Sequence, residues 1–229
     1  MQKVELTISE VLSESWQKVK SQYGIIIGSL LTVWLINGAF NILSNIANAF
    51  TDTGATSTRL IMTLISLIIS IGSLAVGNLL YIGLTRIELN IIDTKQALYA
   101  QLFDSENIYW RYLGATFLYA LIVLGGLILF IIPGIYWAIK YQFIAVIIVD
   151  KKLKVTEALK ASGEITQGHK GWLLGFSLIL VLLNIAGFMA LILGLLVTIP
   201  ITVMAQIYVY RKLSINISST TSVKTPVAN

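Results

Sequence analysis

The sequence predicts an all-α, polytopic membrane protein. Six transmembrane helices fall in three tandem units, each an interfacial amphipathic helix followed by a helical hairpin. Three observations predict it. The chain of 229 residues is 56% hydrophobic and only 12% charged, with a mean hydropathy of +0.83; soluble domains carry about twice that share of charge. Its apolar residues gather into runs of about 20, the length that crosses a ~30 Å hydrocarbon core. The same order of charged-amphipathic segment and apolar run then recurs along the chain.

The first unit opens with VELTISEVLSESWQKVKSQY, residues 4–23. Val4, Ile8, Leu12, Val19 and Tyr23, with Val11 and Trp16, recur at helical spacing, so one face is apolar and the other charged. Thr7 and Glu10 have the spacing of a capping box. Such a helix lies in a membrane interface. Spans are then expected at about 24–46, 60–84, 112–131, 134–149, 172–190 and 193–210.

A shift of 147 aligns Glu10 with Glu157, Leu12 with Leu159, Ser15 with Ser162, Gly28 with Gly175 and Asn37 with Asn184. A shift of 86 finds a weaker middle copy, with Leu12 on Leu98, Tyr23 on Tyr109 and Gly28 on Gly114. Ile132-Pro133 echoes Ile199-Pro200, and Tyr141 echoes Tyr208. Residues 1–213 are therefore expected to form one membrane domain of units 4–86, 87–150 and 151–213. Residues 214–229 are Ser/Thr-rich without apolar periodicity and are expected to be a disordered cytoplasmic tail.

Charge orients this scheme. All of the sixteen Lys and Arg residues except Arg59 and Lys140 fall on one side of the expected spans. By the positive-inside rule both termini face the cytoplasm of a bacterial inner membrane. The net charge of +5 then reports orientation, not a nucleic-acid partner. With no cysteine and a single histidine, His169, disulfides, thiolate chemistry and multi-histidine metal sites are excluded. No P-loop, G-x-S-x-G or H-E-x-x-H occurs. No cofactor and no enzymatic role is expected. No carboxylate is expected inside a span, so no proton relay is expected either. An uncleaved N-terminus is expected, because Glu5, Glu10 and Glu14 precede an apolar run too long for a signal-peptide core.

Lys140 is the leading candidate for function. A central lysine costs about 2.5–3.5 kcal/mol on insertion scales, so its place seven residues after Pro133 calls for a reason. It either snorkels to the outer interface or, with Tyr141, lines a polar cavity for an anionic headgroup. Asn37, Asn41, Asn45 and Asn48 form a stripe on one face of the first span, facing a small-polar stripe from Thr63 to Gly77 on the second. With Asn184 they are further candidates for ligand or lipid contact, against the plainer reading of interhelical hydrogen bonding. Gly24-x-x-x-Gly28 and Gly171-x-x-x-Gly175 are expected at close helix contacts. Pro133, Gly134 and Pro200 mark hairpin turns or kinks.

IPGIYWAIKYQFIAVIIVD, followed by ALKASGEITQGHKGWLLGF, resembles the YciC-like bacterial inner-membrane proteins and the membrane domain attached to some glycerophosphodiester phosphodiesterases. The resemblance covers most of the chain and is most specific at IPGIY with its following basic residue and at Ala158, Leu159, Ser162 and Gly168. It implies six spans with cytoplasmic amphipathic helices, and links to lipids, envelope homeostasis or bacteriocin immunity. It implies no catalytic residues, and phosphodiesterase activity is not expected of residues 1–229. Gly163 departs from the pattern, standing where those proteins often carry a bulky aromatic residue. The expected function is non-enzymatic handling of lipid or another amphipathic molecule, or support of the envelope. The alternative is a membrane interaction module with a membrane-protein partner or a homo-oligomeric state.

Overall fold

A computed structural model describes residues 6–53, 56–105, 107–190 and 194–222. Every regular element among them is helical. The first, α1 (Ile8–Ser21), starts at Thr7, whose side chain makes no capping hydrogen bond. It leads into the long hairpin of α2 (Tyr23–Thr53) and α3 (Thr56–Ile92). A 3₁₀ turn, Tyr99–Phe103, precedes α4 (Tyr109–Leu129). Two short helices follow, α5 (Ile131–Tyr141) and α6 (Ile144–Lys151), then α7 (Val155–Ile165), α8 (Lys170–Met189) and α9 (Leu195–Ser222).

Five helical stretches among the described residues are long and apolar enough to cross a membrane: Tyr23–Phe50, Thr56–Ile92, Tyr109–Leu129, Ile131–Lys151 and Lys170–Met189. This is a helical membrane protein. The sixth expected span falls in α9 and is not among them; that helix carries Pro200 internally and runs into Arg211 and Lys212. Wide apolar surfaces stay uncovered on the distal parts of the helices, including Ile42, Ile46, Leu60, Leu64, Ile68, Ile128 and Phe130. Apolar surface of this extent suits contact with acyl chains.

Several expectations change. Among the described residues the weaker middle copy of the amphipathic helix does not form: α3 continues past residue 84 to Ile92, and there only the 3₁₀ turn precedes α4. Gly83 explains this packing. A side chain there would collide with the backbone of Leu102, so the bare glycine lets the turn lie directly on α3. Because α3 runs on, Glu88 is carried by the same long helix, 3% exposed. Glu88 therefore lies on the helical extension beyond the expected span, buried by protein packing: Arg86 and Glu88 lower the local hydropathy, but packing extends the helix over them. At the other end, α9 remains helical through Ser222, so residues 214–222 of the expected tail are helical; residues 223–229 lie outside the described ones.

The close helix contacts also move. A side chain at Gly24, Gly171 or Gly175 would meet nothing within 4 Å, and one at Gly28 meets only the Tyr99 ring, at 3.8 Å. The spacing put each pair on one face, but that face is not where the helices of this chain press together. The tight approaches are in the hairpins. A Cβ on Gly126 would lie 2.7 Å from the Gly134 Cα, and Gly187 presses against Thr198 and Gly194. Phe130, in an extended conformation, is the single residue between α4 and α5. Pro133 then falls in the first turn of α5, where its missing N–H leaves no helical bond unmade.

α1 packs mainly on α9, the 3₁₀ turn on α3, and α7 on α6. The buried positions of α1 are Val11, Ser15 and Val19. A shift of 147 carries them to Ala158, Ser162 and Thr166, all fully buried in and just after α7.

Candidate functional site

The site grows from a break in one membrane-crossing stretch. The helix stops at Tyr141 and restarts at Ile144, which strips backbone groups of their helical partners. In an apolar setting each orphan is costly, and α7 supplies the replacements. Ser162 Oγ donates to the Lys140 carbonyl (3.1 Å) and accepts from the Phe143 N–H (3.3 Å). The Thr166 hydroxyl is shared between the Ser162 carbonyl (2.9 Å) and the Lys140 carbonyl (3.1 Å). Both hydroxyl-bearing residues are fully buried. On the other flank the Tyr119 hydroxyl donates to the Ala138 carbonyl, at 3.3 Å.

This elbow holds Lys140 half-buried, its Nζ 4.9 Å from the centre of the Tyr141 ring. Beside it opens a cavity of about 490 Å³, lined by Lys140 and Tyr141 from α5, Thr156, Leu159, Lys160, Gly163 and Glu164 from α7, then Gln167 and Lys170. A Cβ on Gly163 would lie 3.2 Å from Lys140 Cε, so the missing side chain leaves the lysine its room. Lys170 Nζ donates to the Tyr136 hydroxyl at 2.5 Å and sits 4.3 Å from that ring's centre. Among the described residues no carboxylate forms an ion pair with Lys140, Lys160 or Lys170. The cavity thus holds three cationic groups against Glu164. Ile132, Tyr136 and Lys140 are spaced i, i+4, i+8, on one face of α5. Ile132 and Tyr136 are exposed, so an apolar track leads from the uncovered end of α5 to the lysine.

The other candidates lie elsewhere. Asn37 and Asn41 use their amides on their own helix, donating to the Val33 and Asn37 carbonyls at 2.8 and 2.9 Å. Asn37 Oδ1 also faces Gly77 across the α2–α3 contact. Asn45 is exposed, and Asn41 lines a small cleft of about 150 Å³ with Phe40, Ser44, Ile69, Ser70 and Ser73. Asn184 joins α8 to α9, donating to the Leu180 carbonyl (3.0 Å) and to Thr202 Oγ1 (2.9 Å). None of these reaches the cavity at Lys140. His169 places Nδ1 3.2 Å from the Gln167 carbonyl, beside that cavity's edge.

A second charged cluster was not foreseen. Arg211 reaches both carboxylate oxygens of Asp93, at 2.8 and 2.7 Å, and Asp150 Oδ2 at 2.7 Å. The Tyr210 hydroxyl donates to the same Asp150 oxygen at 2.6 Å. Burial works against the charge on Arg211, but the hydrogen bonds and charges of Asp150 and Asp93 outweigh it and raise its pKa above the ordinary guanidinium value. Bidentate pairing of this kind is the strong form of a charged hydrogen bond. The cluster ties the ends of α3 and α6 to α9. Its only sequence signal was an aspartate closing each of two apolar runs, IID93 and IVD150.

Known proteins add little beyond this geometry. No family model and no solved structure matches the chain. It is 30% identical over 131 residues to Uncharacterized protein Mb2590 of Mycobacterium bovis and to Uncharacterized protein MT2637 of Mycobacterium tuberculosis. Each match covers 55% of this chain and 38% of the relative, so the chain spans well under half the length of these relatives.

Proposed function

We propose a non-enzymatic protein of the bacterial inner membrane that handles lipid or another anionic amphipathic molecule at the Lys140 cavity. The observation that carries this reading is a cluster of three lysines beside a broken helix, at the head of an exposed apolar track on α5. A headgroup would meet the cations while its chains follow Ile132 and Tyr136. The volume lies in the range of small-molecule sites, about 300–1,000 Å³. Support of envelope homeostasis would follow from such handling, and the YciC-like resemblance favours it.

In this reading α9 is the sixth span, held to α8 by Gly187, Gly194 and the Asn184–Thr202 bond. The units are three and parallel, and their connecting segments close a ring because α1 rests on α9. Both termini are cytoplasmic, in keeping with the side on which the lysines and arginines gather.

A second reading is a membrane interaction module. Asn41, Asn45 and Ser70 are exposed on the long α2–α3 hairpin, and polar groups facing lipid are better covered by another helix. That favours a membrane-protein partner or a homo-oligomer. Native mass spectrometry of gently extracted protein separates the two readings. A reproducible lipid adduct that weakens in Lys140→Met supports lipid handling. A stoichiometric protein partner without specific lipid supports the module and overturns the first reading.

A further inference from the structure

We infer that the Lys140 cavity prefers a lipid ending in a phosphate monoester over one whose phosphate is a diester. The inference rests on the lipid-handling reading and adds the class of headgroup. Its basis is charge matching in a small space. Lys140, Lys160 and Lys170 come from three separate elements, and Glu164 is the one carboxylate that lines the cavity with them. Three positive charges and one negative leave an excess of two. A phosphate monoester carries about −1.5 to −2 at neutral pH, with a second pKa of about 6. A diester carries one negative charge and leaves the site half-compensated.

The donors have the right character as well. Lysine ammonium groups are compact point charges with three rotatable donors, suited to the three terminal oxygens of a monoester. Lys170 is held in place by Tyr136 and Lys140 by the Tyr141 ring, so part of the ordering cost is met before a ligand arrives. Gly163 keeps the wall beside Lys140 open. The apolar track through Ile132 and Tyr136 assigns the phosphate to a lipid and not to a free ion.

The groups that face this site and can titrate or carry charge are Lys140 and Tyr141 on α5, Lys160 and Glu164 on α7, and Lys170 at the start of α8. Tyr136 stands against Lys170, and His169 lies beside the edge. The test uses full-length protein in detergent, titrated with short-chain phosphatidate, short-chain phosphatidylglycerol or inorganic phosphate at pH 7.5 and pH 5. Phosphatidate should bind about tenfold tighter than phosphatidylglycerol at pH 7.5, with most of that ratio gone at pH 5, where the monoester has lost its second charge. The same pH trend in His169→Gln assigns it to the lipid.

Lys160→Gln, an exposed position, should weaken phosphatidate binding about fivefold. Lys151→Gln, outside the cavity, should leave it unchanged. Equal binding of phosphatidate and phosphatidylglycerol at pH 7.5 overturns the monoester inference and leaves lipid handling standing. Failure of both lipids to bind overturns both. Inorganic phosphate competing at the same concentration as phosphatidate overturns the assignment to a lipid.

Discussion

Two charge clusters in this protein are built on opposite terms. Around Arg211 the guanidinium is met by two carboxylates and a tyrosine hydroxyl also reaches one of them, all at 2.6–2.8 Å. Around Lys140 three lysines face one glutamate, with no ion pair to them among the described residues. The first is internally complete and joins distant segments, so its energy goes into the fold. The second is incomplete, and an uncompensated positive cavity is raised in energy until an anion enters it. Charge satisfied within the chain serves the fold; the charge left over beside the cavity is what the proposed ligand would meet. The two clusters should therefore respond differently to mutation.

The largest effect is expected at the complete cluster. Arg211→Met leaves Asp150 without its cation and Asp93 with only the exposed Lys95, at 3.3 Å, the two carboxylate side chains being 13% and 20% exposed. Removing one partner of a largely buried pair costs about 3 kcal/mol or more. Thermal unfolding in detergent should show a large loss of stability. Adding Asp93→Asn and Asp150→Asn to Arg211→Met should restore a good part of it, because the stranded charges go. Lipid binding per folded molecule should not change. A near-neutral Arg211→Met would break the contrast, since the cluster would then be no more structural than the lysines.

A middle effect is expected where the two terms meet, at the helix break. Ser162→Ala removes one donor to the Lys140 carbonyl and the acceptor for the Phe143 N–H. Thr166 stays within reach of the carbonyl while shared with the Ser162 carbonyl, but the buried amide is orphaned, at a cost of about 1–3 kcal/mol. Hydrogen exchange at Phe143 should accelerate in Ser162→Ala, and lipid binding should fall because the elbow that aims Lys140 loosens. Unchanged exchange at Phe143 would show that Ser162 does not hold the break.

How much of this could be read from the chain depends on distance along it. Five of the six expected spans were legible because hydropathy is a property of contiguous residues, and the break was hinted at by Pro133, Gly134 and Lys140. Helix α3 outran its expected end at 84 because Arg86 and Glu88 dilute its hydropathy, while tertiary packing still buries Glu88. The middle amphipathic helix was misread because Leu98 and Tyr109 satisfy a periodic template that the chain between them does not follow; Gly83 and Leu102 decide that segment by direct contact. At the cavity, Lys140 and Tyr141 stood out by their apolar surroundings. Lys160, Glu164 and Lys170 did not, because on their own helices they look like ordinary solvated charges. Gly163 was noticed only as a departure from a resemblance, and its role is visible once Lys140 lies across from it. The Asp93–Arg211 pair spans 118 residues, and no local pattern carries that information.

The smallest effect on stability is expected at the incomplete cluster, and it sharpens the comparison most. Lys160 is exposed and has no ion pair among the described residues. Lys160→Gln should therefore shift the unfolding free energy by no more than about 0.5 kcal/mol in lipid-free detergent. It removes one of three like charges, so the sign of that small shift should be stabilising. The order reverses once an anionic lipid is present. A ligand that binds only the folded state raises stability in proportion to the logarithm of its concentration over Kd. The wild-type protein should gain melting temperature as the lipid is titrated in, and Lys160→Gln should gain less at every concentration. The two curves should start together and diverge. Parallel curves would mean that lipid binds away from this cavity; curves that differ only without lipid would mean that Lys160 belongs to the fold and not to a ligand site.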